Sequence, residues 1–110
     1  MSTIFATGSG TATASGGAAT LANRFGKITT ESLTTAQDAS YTLTVTATPI
    51  KATDMVFVSV ANGTNTQGTT VVTKVTPADG SLVIIVTNKH ATAQALNGTL
   101  VISYGAFGAS

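Results

Sequence analysis

Charge is scarce in this chain: of its 110 residues, 5 are Lys or Arg and 4 are Asp or Glu. A typical soluble domain is about 25% charged, whereas this one is 8% charged. Thr, at 23 positions, must therefore cover much of the wet surface together with Ser, Asn and Gly. Such a surface has little repulsion to keep neighbours apart, which favours a protein partly hidden in an assembly. The net charge of +1 and the lack of a basic run provide no electrostatic footprint for nucleic acid.

Cysteine is absent, which excludes disulfides, thiolate metal sites and thiol nucleophiles. No apolar run approaches the roughly 18 residues that a membrane-spanning helix needs, so we expect no membrane partner. The segment from Met1 to Phe5 lacks the basic and apolar regions of a secretory signal. We therefore expect the chain to fold in the compartment where it is made.

A helical period is also missing, and the sequence instead shows strand alternation. The clearest run extends from Tyr41 to Thr48, where apolar residues and Thr take strictly alternate positions. This pattern is typical of a half-buried antiparallel strand. Thr suits it because its β-branched side chain favours the extended backbone without adding charge. The residues predicted to face the core are Tyr41, Leu43, Val45 and Ala47.

Other short runs predict further strands. Lys27 to Leu33 is interpreted as an edge strand, because Lys27 and Glu31 would discourage unwanted pairing. Asp54 to Ala61 is almost continuously apolar, which indicates a strand covered on both faces. Three further segments are also predicted to be short strands. They are Leu21 to Phe25, Thr70 to Thr76 and Thr99 to Tyr104.

Ser81 to Asn88 is the most hydrophobic segment and is predicted to lie centrally in a sheet. Pro77 to Gly80 has turn chemistry and should join it to the preceding strand as a hairpin. Together the segments predict an all-β fold. We expect a single β-sandwich over residues 21–110, jelly-roll or Greek-key like, with about six to eight short antiparallel strands.

Residues 1–20 contain almost nothing large and cannot bury enough apolar surface to offset their chain entropy. We predict an extended N-terminal arm that becomes ordered on a partner. Ile4 and Phe5 are the candidate anchors, and Thr11 and Thr13 are further candidate contacts.

Catalytic and metal chemistry finds little support in the sequence. His90 is the single histidine, and no Ser lies in a motif with it. The carboxylates are scattered, whereas a catalytic triad, a zinc site or a glycosidase needs them to converge. Asn62 and Asn97 each open an Asn-Gly-Thr sequence, which we interpret as a turn signal rather than a glycosylation site. We expect no enzyme activity, no metal and no cofactor.

The chain resembles small β-rich virion proteins of tailed bacteriophages, notably those of cyanobacteria and other marine hosts. The resemblance covers Leu21 to Tyr104, about three quarters of the chain. It implies a head decoration (cement) protein or a module of a fibre or knob, without a catalytic motif. The stretches that carry it are Gly26 to Ala36, Ala39 to Thr46, Ser59 to Thr66, Val75 to Val86, and Leu96 to Leu100.

The resemblance and the composition lead to one expectation. The chain would decorate and stabilise a phage capsid by bridging major capsid protein subunits. It would be made in the host cytoplasm and lie on the capsid exterior as a homo-oligomer, with a trimer favoured. Many copies on a repeated lattice need only modest individual affinity. The loop and tail residues expected to contact partners are Asn65, Gln67, His90 and Phe107.

Two alternatives remain open. In the first, the chain is a fibre or knob module whose loops from Asn62 to Gly68 and Lys89 to Asn97 bind host surface glycan. Neither loop has the exposed aromatic residue that sugar sites usually use. In the second, a pilin-like subunit completes the sheet of its neighbour with its N-terminal segment. That segment lacks the alternating large hydrophobic residues of a donor strand.

Overall fold

The computed structural model describes residues 9–108, where all regular secondary structure is β-strand. Two four-stranded sheets face each other, and we call them sheet A and sheet B. Sheet A has the order β1-β3-β8-β5 and sheet B the order β2-β4-β7-β6. The strands are β1 (Ser9–Thr13), β2 (Ala18–Thr20), β3 (Phe25–Thr29), β4 (Ser40–Thr46), β5 (Met55–Asn62), β6 (Thr70–Ala78), β7 (Ser81–Asn88) and β8 (Leu100–Phe107). The predicted all-β sandwich is confirmed.

The core between the sheets is aliphatic. On β4 the predicted alternation holds, because Leu43 and Val45 are fully buried while the Thr residues between them face solvent. Leu43 and Val45 pack with the inward side chains of β7, in the same sheet, and of β8, in the opposite sheet. Fully buried aliphatic side chains, which dominate this core, are Ile28, Leu43, Val45, Ile50, Leu82, Ile84, Leu100 and Ile102.

The strand pairings are not all antiparallel, which corrects part of the expectation. β1 runs parallel to β3, and β2 runs parallel to β4. Both strands come from residues 9–20, which the sequence assigned to the arm. The chain changes sheets between them at Gly16 and Gly17, whose φ values of 59° and 79° favour glycine. The side chain of Glu31 fixes this corner, because its Oε2 accepts the Gly17 N–H at 2.8 Å.

Small size explains why residues 9–20 gave no strand signal. Ala14 and Ala19 are buried, yet neither is large enough to produce a hydrophobic pattern. Main-chain pairing with β3 and β4 secures the segment instead. The remainder of the predicted arm, including Ile4 and Phe5, lies outside the described residues. A truncation meant to remove only that remainder must stop before Ser9.

The predicted positions of two strands in their sheets were wrong. β3 is not an edge strand, because β1 covers one side of it and β8 the other. β5 is an edge strand, and it is not covered on both faces. Its side chains alternate between half-buried and exposed positions, and Met55 and Phe57 are each 59% exposed.

The hairpin of β6 and β7 is confirmed, and β7 is internal to sheet B as predicted. Its turn is shorter than expected, because Pro77 pairs with Leu82 inside the ladder and only Asp79 and Gly80 separate the strands. Gly80 has φ 81°. The predicted strand from Leu21 to Phe25 is wrong, because residues 21–24 form a loop and only Phe25 belongs to β3. The last predicted strand is longer than expected, because β8 extends to Phe107.

Candidate partner-binding surface

The outer face of sheet A brings side chains from four strands into rows. Its side chains alternate between the core and solvent, so residues paired in register share a row. Lys27 is the one charged residue among the outward positions of these strands that the structure describes. The rows are Phe25, Gly105 and Phe57; then Thr11, Lys27, Ser103 and Ser59; then Thr13, Thr29, Val101 and Ala61.

Apolar side chains form a patch at one end of this face. We call Phe25, Phe57, Phe107 and Met55 the phenylalanine patch. The Phe107 ring meets Phe25 edge-on with centroids 5.3 Å apart, and Phe57 with centroids 5.5 Å apart. Such geometry is favourable for aromatic pairs. Gly105 lies between the rings, since a Cβ there would approach the Phe25 ring to 3.0 Å.

Two shallow grooves lie beside the patch, one on each side of Ser103. The larger is about 350 Å³ and is lined by Thr11, Phe25, Lys27 and neighbouring backbone. The smaller is about 260 Å³ and runs past Phe57 and Ser59. Lys27 Nζ donates to Ser103 Oγ at 2.9 Å. The grooves therefore combine aromatic walls with hydroxyl groups and one ammonium.

The two arm candidates that the structure describes, Thr11 and Thr13, belong to the same face. Thr11 and Thr13 are exposed on β1 and stand in the second and third rows. Ser9 pairs with Phe25, so the chain enters sheet A directly beside the phenylalanine patch. Phe107, which the sequence placed in a tail, is part of that patch at the end of β8.

The three predicted loop residues lie elsewhere and are occupied within the chain. Asn65 is 3% exposed. Its Nδ2 donates to Asn62 Oδ1 at 3.0 Å and to the Gln67 carbonyl at 2.8 Å, and its Oδ1 accepts the Asn97 N–H. Gln67 donates to the Ala95 carbonyl. These side chains shape the loops, and the buried Asn65 amide offers nothing to a partner.

His90 is half-buried and also takes part in loop contacts. Its Nδ1 lies 3.0 Å from Thr69 Oγ1, and its carbonyl accepts from Gln37 Nε2 at 2.9 Å. Its N–H donates to Asn88 Oδ1 at 3.2 Å. No carboxylate among the hydrogen-bonding partners of His90 orients the ring.

Asn88 is fully buried at the end of β7, and no sequence pattern predicted its role. Its Nδ2 donates to the Thr35 carbonyl at 3.1 Å and the Gln94 carbonyl at 2.7 Å. Its Oδ1 accepts N–H groups from Thr69 and His90, each at 3.2 Å. One amide thus ties three loops together with both donors and both acceptor positions used. An Asn at a strand end usually reads as a turn residue.

The two Asn-Gly-Thr sequences pack against each other. The Thr64 N–H donates to Thr99 Oγ1 and the Thr99 N–H donates to Thr64 Oγ1, both at 2.9 Å. Gly63 and Gly98 permit this approach, because a Cβ on either would collide with the opposing threonine. Neither glycine has a positive φ, so neither Asn-Gly forms the hairpin turn type that requires one, although the chain bends at both places. Glycine is needed at both positions because the two loop segments approach each other too closely for a Cβ atom.

An ion pair closes the end of the sandwich nearest the patch. Arg24 donates to Asp54 Oδ2 at 2.7 Å, and the Asp54 side chain is 2% exposed. The same oxygen accepts the Lys51 N–H at 3.1 Å. The Arg24 carbonyl also accepts the Ala106 N–H, which ties the loop before β3 to β8.

Both tyrosines are buried hydrogen-bond donors. Tyr104 donates to the Asn23 carbonyl at 2.8 Å, and burial raises its pKa from the ordinary 10 to about 12. Burial also raises the pKa of Tyr41, and the hydrogen bond to Glu31 and its negative charge raise it further. Neither phenol ionises near neutral pH in the folded chain.

We expect these phenols to make the fold sensitive to alkali. The unfolded chain ionises at the ordinary tyrosine pKa, so the stability contribution is complete below about pH 10 and is lost as pH rises towards about 12. Tyr104→Phe should therefore show a shallower decline of unfolding free energy over this range than the wild type. Urea unfolding at several alkaline pH values measures it. Parallel declines in the two proteins would contradict the prediction.

The 9–108 range contains no group of three or more His, Cys, Asp or Glu placed to hold a metal ion. Nor does it form a helix long and apolar enough to cross a membrane. No protein-family model, no curated protein and no solved structure matches the chain. We therefore infer the function of this chain from its surface alone.

Proposed function

We propose that this chain is a structural virion protein that decorates a bacteriophage capsid and bridges major capsid protein subunits as a homo-oligomer. It is made in the host cytoplasm and lies on the capsid exterior. The observation that carries the proposal is the phenylalanine patch, an exposed apolar surface on a sheet face with one described charge.

The physical argument concerns desolvation. A contact through Phe57 and Met55 removes apolar area from water and gains roughly 1–2 kcal/mol for each side chain. The neighbouring Ser and Thr side chains form hydrogen bonds without the large cost of burying a charge. Lys27 contributes one site for an acidic group on the capsid. Repetition over the lattice turns such modest contacts into stable occupancy.

The N-terminal segment strengthens the proposal through its position. The chain enters sheet A at Ser9, which pairs with Phe25 of the same patch. Ile4 and Phe5 are the large apolar residues of that segment. The arm and the patch together would form one capsid-binding surface.

We expect the double substitution Met55→Ser and Phe57→Ser to reduce capsid affinity about 30- to 1,000-fold, because it removes two exposed apolar side chains worth roughly 1–2 kcal/mol each. The measurement is co-sedimentation of the purified chain with capsids of the phage that encodes it. The matched control is Val71→Ser, which removes a 42% exposed apolar side chain from β6 in the opposite sheet.

Circular dichroism would establish that both variants keep the sandwich. Equal capsid occupancy for the double variant and the wild type would contradict the proposed surface. Absence of binding by the wild type would contradict the capsid proposal as a whole.

A second candidate function is recognition of host surface glycan, and one observation favours it. The 59% exposed Phe57 adjoins a groove that also contains Ser59 and Ser103. An aromatic ring beside hydroxyl groups suits the apolar face and the hydroxyls of a sugar. A glycan array separates the candidates: hits that are lost in Phe57→Ser and kept in Val71→Ser would favour glycan binding.

A further inference from the structure

The four sheet edges differ in how they are protected against pairing with another chain. β6 carries Lys74, Pro77 and an irregularity between Val72 and Lys74, all of which discourage strand addition. β2 has three residues and β1 has five, so both are short. β5 has eight residues without a charge, a proline or a glycine. It is the longest described edge strand that lacks every such protection.

The direction of the main-chain groups on β5 follows from bonds at its borders. The Ala106 N–H donates to the Arg24 carbonyl at 2.8 Å, so even-numbered residues of β8 bond towards β3. The Gly63 N–H donates to the Thr99 carbonyl at 2.9 Å, so odd-numbered residues bond towards β5. In an antiparallel ladder these directions alternate along each strand.

The register of β5 on β8 then fixes the open groups. Met55, Phe57, Ser59 and Ala61 pair with odd-numbered residues and direct their main-chain groups into the ladder. Val56, Val58 and Val60 direct theirs to the open edge. No hydrogen bond to these outward groups comes from any other residue of the 9–108 range. The edge is thus a row of donors and acceptors on an uncharged strand.

We propose that β5 pairs with β5 of a second copy of this chain, antiparallel and about a two-fold axis through Val58. The strand is self-complementary in this register. Val58 meets its own copy, and Val56 meets Val60, so β-branched side chains oppose each other on the inner face. On the outer face Phe57 lies opposite Ser59, and Met55 opposite Ala61, which places each large side chain beside a small one.

A second copy fits better than an unrelated strand because no charge on β5 selects a partner of opposite sign. A two-fold contact uses the same surface on both copies, and this strand brings no like charges together. The pair would have about six main-chain hydrogen bonds and would join two sheets A into one sheet of eight strands. Its small area predicts weak association, which dissociates on dilution to about micromolar concentration.

The test compares Val58→Pro with Val58→Ala. Proline removes the outward N–H of residue 58 and leaves the bonds to β8 intact, and proline is tolerated where an edge N–H faces solvent. Alanine keeps the N–H of residue 58 but, like proline, loses the packing of the valine side chain. Sedimentation equilibrium should show the wild type and Val58→Ala rising from one to two chain masses with concentration. Val58→Pro should dissociate at least about tenfold more readily.

A wild type that stays at one chain mass, or that reaches three, would overturn the two-fold pair. So would a proline variant that associates as strongly as the alanine variant. Both Val58 variants keep the outward Met55 and Phe57 side chains, so co-sedimentation of these variants with capsids tests the capsid-binding surface separately from the pairing.

Amide hydrogen exchange on the wild-type chain supplies a measurement without a variant. The N–H groups of Val56, Val58 and Val60 should exchange slowly at high concentration and rapidly on dilution. Those of Phe57 and Ser59 should stay protected at both concentrations, because they bond to β8. Exchange of the three valines that is independent of concentration would overturn the pairing even if Val58→Pro fails to fold.

Discussion

Asn88→Ala is expected to lower the free energy of unfolding by about 3 kcal/mol, because several polar groups lose their partner together. The Thr35 and Gln94 carbonyls lose a donor, and the Thr69 and His90 N–H groups lose an acceptor. Most of them are only half-buried, so water satisfies part of the loss. Urea unfolding at neutral pH measures the change.

The matched control is Asn97→Ala in the same group of loops. Asn97 makes two side-chain hydrogen bonds to Thr66, both of 2.7 Å, but it is exposed. Water replaces an exposed amide readily, so we expect a loss of about 1 kcal/mol or less. If Asn88→Ala costs no more than Asn97→Ala, the buried amide does not organise these loops.

Leu43→Ala is expected to lower the free energy of unfolding by about 3 kcal/mol, within the usual range of 2–5 kcal/mol for such a truncation. Leu43 is fully buried at the centre of β4, where it pairs with the equally buried Ile84 of β7. Side chains from sheet A pack over it, so the neighbours are fixed and a cavity remains. Thermal unfolding should show the loss as a lower melting temperature.

Thr44→Ala is the control one residue away on the same strand. Thr44 points to solvent, so its removal costs only β-propensity, less than about 1 kcal/mol. Comparable losses at Leu43 and Thr44 would mean that β4 does not alternate between core and solvent.

The strands that the sequence predicted well are those with large side chains on one face. β4 and β7 have long apolar sets, and a shift of one residue would expose all of them. The hairpin of β6 and β7 followed from its turn residues. β1 and β2 were not predicted, because their Ala, Ser, Thr and Gly residues form no hydrophobic pattern.

The candidate surface was only partly foreseen. Thr11, Thr13 and Phe107 were named as contacts, and they lie on the outer face of sheet A. Phe57 was missed, since an apolar run indicated a strand covered on both faces. Its exposure arises because no other element of residues 9–108 packs over the outer face of sheet A, and local sequence carries no information about that packing.

The sequence by itself determined that this chain forms strands and that its core is aliphatic, because residue size and period two act between near neighbours. Its low charge was equally a property of composition. Only the tertiary structure decided which strand became an edge, which asparagine was buried and which phenylalanine reached solvent. Those outcomes depend on contacts between residues far apart in the chain, such as Asn88 with Thr35 and Phe57 with Phe107. Such contacts exist only once both sheets are in place.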